Sequence, residues 1–121
     1  MRFLFALFLI AHGLVHLMVW LAPPSPDAPF RADHSWLMGT DGTAHRTSVT
    51  LALGATTTFV LSGLALLLGV AVWITVAVAA SMLGLIVAIT FFDRWLLADV
   101  GINVGLLYLL LMTEWPASLL D

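Results

Sequence analysis

The sequence predicts an all-α membrane protein, an antiparallel bundle of four transmembrane helices. Three observations carry that expectation. Of 121 residues, 62% are hydrophobic and 9% charged, whereas soluble domains carry roughly a quarter charged residues. Residues 47–92 form 46 consecutive positions without a charged side chain or a histidine. Two further apolar runs, 2–22 and 95–115, lie on either side of that block. Each is close to the ~20 residues that cross a hydrocarbon layer.

Span 1 is expected over 2–22, stopped by Pro23, Pro24 and Pro26. Arg2 and the apolar stretch after it resemble a signal peptide, but the run continues to Ala22 and meets prolines where processing would occur. An uncleaved helix is the expectation. A polar loop, 23–46, follows and carries Asp27, Arg31, Asp33, His34, Asp41, His45 and Arg46. Its Trp36-Leu37-Met38 stretch is expected to lie on the membrane surface as a short helix. The charge-free block is too long for one crossing at ~1.5 Å per residue, so it folds back around Gly69–Val72. That gives span 2 (47–68) and span 3 (71–92). Asp93-Arg94 breaks the chain before span 4 (95–115), which Pro116 ends. Trp20, Trp36, Trp73, Trp95 and Trp115 fall near expected helix ends or in the loop, as interfacial anchors do.

Helix packing in lipid relies on small residues, because lipid gives helices no hydrophobic reason to associate. Gly54, Thr58 and Ser62 in span 2, and Ala77, Ser81, Gly84 and Ala88 in span 3, form such stripes. Gly101 and Gly105 in span 4 make a GxxxG pair, expected to pack against span 3 or a second subunit. A symmetric homodimer, or a place in a larger membrane complex, is the partner expectation besides the bilayer itself.

Other classes fall away on composition. A net charge of −3, four arginines and no lysine leave no basic stripe for nucleic acid. The absence of cysteine removes disulfides, thiolate metal sites and thiol catalysis. No nucleophile–base arrangement is evident, so the sequence leans away from an enzyme.

The polar residues inside the spans are the candidate site. His12 and His16 sit four residues apart in span 1, and Asp99 and Asn103 are spaced alike in span 4. Ionisable groups at membrane depth are costly and functional by default. Measured from the shared loop end, His16 lies ~9 Å and His12 ~15 Å deep, against ~6 Å for Asp99 and ~12 Å for Asn103. The depths predict that spans 1 and 4 touch, His16 level with Asp99 and His12 with Asn103.

Several roles fit this centre. His-x-x-x-His is a metal-ligand pair on a helix, and His12, His16 and Asp99 would suit zinc, nickel or copper. His34 and His45 are secondary metal candidates in the loop, where solvated histidines are the plainer explanation. A proton path with Asn103 as relay, or a small-molecule site, uses the same residues. Haem is disfavoured because two histidines on one helical face cannot take opposite axial positions, and spans 2 to 4 hold no histidine. Quinone stays among the alternatives, and the cofactor is left unknown. Simple helix packing remains the opposing explanation, with the protein as a structural or accessory subunit.

The segments Ala11–Leu17 (AHGLVHL), Asp33–Gly39 (DHSWLMG) and Phe91–Val104 (FFDRWLLADVGINV) resemble an uncharacterised family of small bacterial four-span membrane proteins, of actinobacterial type and distantly similar to DoxX-like four-helix proteins. The resemblance covers essentially the whole chain, and His12, His16 and Asn103 match its pattern. It implies a cell-membrane location with both termini cytoplasmic and the histidine loop outside. Relatives carry a basic hairpin between spans 2 and 3, which this chain lacks at Leu68–Trp73.

Overall fold

The computed structural model describes residues 1–23, 25, 27, 31–40 and 42–120. Pro24, Pro26, Asp41 and Asp121 lie outside them. Four helices run over Arg2–Leu21 (α1), Gly42–Leu67 (α2), Trp73–Thr90 (α3) and Leu97–Met112 (α4), the last preceded by a 3-10 turn at Arg94–Leu96. All four are long and apolar enough, counting that turn with α4, to cross a membrane. Their outward faces are apolar too: Phe3, Leu7, Met18, Leu61, Met82 and Tyr108 are all exposed. Such a surface suits lipid and would associate non-specifically in water.

Each helix packs on the next in the chain, α1 on α2, α2 on α3, α3 on α4, whereas α1 and α4 approach one another only sparsely. The α1–α2 contact is the closest. A Cβ on Gly13 would stand 2.7 Å from the Phe59 Cβ, and one on Gly63 2.8 Å from the Ala6 carbonyl oxygen. These two glycines let the backbones approach closely, and the Thr56 hydroxyl then donates to the Gly13 carbonyl at 2.8 Å. Buried positions on α1 fall at Ala6, Leu9, Gly13, His16 and Trp20, a stripe at helical spacing.

Small residues therefore do pack the bundle, but not all those expected. Ala77, Ser81, Gly84 and Ala88 are buried along α3 as predicted. On α2 the packed stripe runs through Ala52, Ala55, Phe59, Gly63 and Leu66, and Gly54 meets only one Leu83 methyl at 3.7 Å. Thr58 turns its hydroxyl back to its own helix, on the Gly54 and Ala55 carbonyls. Gly101 and Gly105 have nothing within 4 Å of a Cβ position, so neither packs on α3. Gly84 makes that contact from the other side.

The turn between α2 and α3 falls where length demanded it, with Gly69 at φ +71°, a backbone state that glycine enters freely. At the other end the loop differs from expectation. Residues 34–40 form a small antiparallel hairpin, His34–Ser35 (β1) with Gly39–Thr40 (β2), pairing His34 with Thr40 and Ser35 with Gly39. Trp36-Leu37-Met38 is the turn of this hairpin, not a surface helix. The Ser35 hydroxyl oxygen accepts from the Leu37 and Met38 amides, a local arrangement that competes with helix formation. Gly39 at φ +81° closes it.

The hairpin also completes a helix end. The Ser35 hydroxyl donates to the Thr90 carbonyl, and the Trp36 indole N–H to the Ile89 carbonyl, both at 2.6 Å. These are terminal carbonyls of α3, which have no intrahelical partner. Ser48 donates to the Ala32 carbonyl and ties the loop to α2. Outside the spans, Arg31 holds Asp33 by two hydrogen bonds of 3.0 and 2.6 Å. The bonded guanidinium keeps the Asp33 carboxyl below its usual range.

Two helix ends and two tryptophans depart from expectation. α2 begins at Gly42, so His45 and Arg46 belong to its first turns and not to the loop; charges at the membrane surface end an apolar run without ending a helix. α4 stops at Met112 and leaves Trp115 beyond it, since the residue before Pro116 is biased away from helix. Trp36 and Trp95 are exposed, but Trp20 and Trp73 are core residues, 1% and 0% exposed.

Candidate functional site

The helical register places His12 and His16 on the inner face of α1, toward α4. Asp99 lies in the first turn of α4, one side of which faces α1. The His16 Nε2 stands 3.4 Å and the His12 Nε2 3.6 Å from the same oxygen, Asp99 Oδ1. Spans 1 and 4 therefore do meet, through side chains across a gap between their backbones.

Depth matching placed Asn103 opposite His12. The Asn103 side chain does stand beside His12, and it has a second partner as well. Its amide nitrogen donates to the Asp99 carbonyl oxygen at 2.9 Å and to Asp99 Oδ1 at 3.0 Å. Asn103 thus holds the carboxylate in position from one turn along α4. It has room to do so because residue 84 on α3 is glycine: a Cβ there would lie 2.7 Å from Asn103 Oδ1.

Phe59 of α2 sits beneath both imidazoles, edge-on to His12 with centroids 4.8 Å apart and stacked on His16 at 5.9 Å. Phe8 stacks on the other side of His12. These contacts fix the ring planes without using a nitrogen. Phe59 and Gly84 were not among the residues singled out for the site. Neither is polar, and only the helix–helix contacts reveal their roles; Gly13, between the two histidines, was the sole sequence hint that α2 comes close here.

Four buried polar atoms of this group have no hydrogen-bond partner: His12 Nε2, His16 Nε2, Asp99 Oδ2 and Asn103 Oδ1. Leaving such atoms bare typically costs ~1–3 kcal/mol each. His12, His16 and Asp99 offer ligand atoms that all lie within 4.8 Å of one another, and among the described residues they form the one such group. His34 and His45 stand apart from it. His34 is exposed and shares a 2.6 Å hydrogen bond with Thr40 across the hairpin; His45 is half-buried in α2, with its Nδ1 unpartnered.

Beside the centre, between α1 and α4, lies a cleft of about 200 Å³. His12, His16 and Asp99 form its polar floor, and Val15, Val19, Leu96, Ala98 and Ile102 its walls. Trp95, 60% exposed, stands at its edge.

Fold and site together define a small four-helix membrane protein with a buried histidine–carboxylate cluster next to an apolar cleft. No known family model, curated protein or solved structure matches the chain. Its function is therefore argued from this geometry.

Proposed function

We propose that the protein binds a divalent transition-metal ion in the membrane, held by His12, His16 and Asp99. The observation that carries this reading is the spacing of the unpartnered atoms. At 3.4 and 3.6 Å, neither imidazole forms a hydrogen bond to the carboxylate, so the contact is poorly explained as a bonded pair that sets helix register. The same spacing suits a shared ion. Two ligands each ~2.0–2.2 Å from a tetrahedral ion stand roughly 3.4 Å apart. Two imidazoles beside one carboxylate favour zinc, copper, nickel or iron over magnesium and calcium, which take oxygen ligands.

Asn103 supports the site from outside, as a group that orients a ligating carboxylate. With three protein ligands, a fourth position would remain open on the cleft side.

Purified protein in lipid nanodiscs, stripped and titrated with Co²⁺, tests the reading. The expected result is one equivalent with the intense d–d absorption of a tetrahedral site, displaced by Zn²⁺. His12→Leu and His16→Leu should each weaken binding by more than the roughly ten- to hundredfold that loss of an outer hydrogen-bond partner costs. A wild-type sample that takes up neither ion would overturn the proposal. Retained Co²⁺ affinity in the double variant would do the same, and would leave the histidines a packing role only.

A further inference from the structure

Resting on the metal reading, we infer that the α1–α4 cleft admits a lipid-soluble weak acid, a thiol or phenol on a small apolar body, whose deprotonated atom completes the ion's coordination. The route, the size and the charge each point the same way.

The route follows from the packing order. α1–α2, α2–α3 and α3–α4 are closed contacts, and the α1–α4 seam is the sparse one. The cleft lies in that seam, and two residues lining it, Val15 and Trp95, are exposed on the helix surfaces that face lipid. A molecule dissolved in the bilayer reaches the centre sideways.

The size is that of one ring. A cavity near 150 Å³ accepts benzene, and this cleft is about 200 Å³. Apart from the floor its lining is valine, leucine, isoleucine, alanine and two indoles. An ionic head has no counter-charge there, and its burial is disfavoured.

The charge argument selects the class. A divalent ion with two neutral imidazoles and one carboxylate keeps one net positive charge, costly at membrane depth. One anionic fourth ligand brings the sum to zero. A molecule that crosses lipid must arrive neutral, so the ligand enters as X–H. The X–H bond breaks, a bond from X⁻ to the ion forms, and the proton leaves to solvent. No electron changes hands.

The experiment uses Co²⁺-loaded protein in nanodiscs and two thiols, benzyl mercaptan and the membrane-impermeant 2-mercaptoethanesulfonate. Benzyl mercaptan should add a saturable sulfur-to-cobalt charge-transfer band, with an affinity at least about tenfold above that of the sulfonate. Val15→Trp and Ile102→Trp, which fill the cleft, should remove the band; d–d absorption in the same samples reports an intact centre. Equal or tighter binding of the sulfonate, or a band unaffected by both variants, would overturn the inference.

A metal-free arm separates this from the parent reading. 4-Bromophenol should quench tryptophan emission saturably in wild type, and Trp95→Phe should reduce that component to the part owed to Trp20, the other indole lining the cleft. Strictly linear quenching, the sign of partitioning into lipid only, would refute the cleft assignment even if Co²⁺ binds well. Saturable quenching without Co²⁺ uptake would instead refute the ion and leave the cleft as a ligand site.

Discussion

Gly84→Ala should disturb the centre from a helix that contributes no ligand to it. The added methyl would meet the Asn103 side chain at 2.7 Å from Oδ1 and 3.0 Å from both Cγ and Nδ2. The amide can move only by loosening its bonds of 2.9 and 3.0 Å to Asp99. Overpacking of this kind costs ~1–3 kcal/mol, while alanine regains about 1 kcal/mol of helix propensity over glycine. The net expectation is destabilisation by up to roughly 2 kcal/mol. In an Asn103→Ala background the obstruction is gone, and Gly84→Ala should become neutral or stabilising by up to about 1 kcal/mol. Equilibrium unfolding of the four members of this cycle in mixed micelles measures both numbers. Equal destabilisation in the two backgrounds would show that Asn103 is not what residue 84 accommodates. Stabilisation of the wild type by Gly84→Ala would refute the packing argument outright.

Four further outcomes are expected. Gly13→Ala and Gly63→Ala place a methyl within 3.1 Å and 2.8 Å of backbone oxygens on the facing helix, so each should cost up to about 2 kcal/mol in the same unfolding assay once the propensity gain is subtracted. Gly101→Ala and Gly105→Ala meet nothing within 4 Å and should change the stability of the monomeric bundle by no more than the ~1 kcal/mol gain in propensity. Ser35→Ala removes the hydroxyl that joins the hairpin to Thr90; amide exchange of residues 34–40 should accelerate by about tenfold, matching a loss near 1–1.5 kcal/mol, with α1 unaffected. Arg31 lowers the Asp33 carboxyl on folding, so that pair's contribution is fully present above the ordinary value of about 3.9 and is lost only as pH falls through the lower folded one. The carboxyl carbon shift of Asp33 should therefore hold steady from neutral pH down to about pH 5, and a carboxyl transition above that would contradict the assignment.

The four helices and the α1–α4 meeting were legible because both depend on quantities a sequence states directly. Apolar run length against bilayer thickness sets the spans, and rise per residue sets the depths of His12, His16, Asp99 and Asn103. What the sequence did not reveal depends on which face of each helix turns inward. Gly54 and Gly63 look alike as small residues in an apolar helix, yet only Gly63 meets α1. Asn103 was matched to His12 by depth and does stand beside it, but depth did not show that its amide also reaches along its own helix to Asp99. Trp20 and Trp73 sit near helix ends, as anchors would, but face the core. Position along the helix axis was readable; rotation about that axis was not.

The succession of contacts has a consequence for how the chain enters a membrane. Helices that pack on their immediate predecessor can dock in the order in which they leave the ribosome, each new one finding its neighbour already present. The seam between α1 and α4 is the exception, since it joins the earliest helix to the latest. An aspartate costs about 2.5–3.5 kcal/mol at the centre of a lone inserting segment, and Asp99 imposes a share of that on α4. The waiting imidazoles of α1 offset it only once the other three helices stand in place. The centre thereby acts as a latch on biogenesis: a chain whose first helix is missing or misplaced meets a penalty at the moment its last helix should insert.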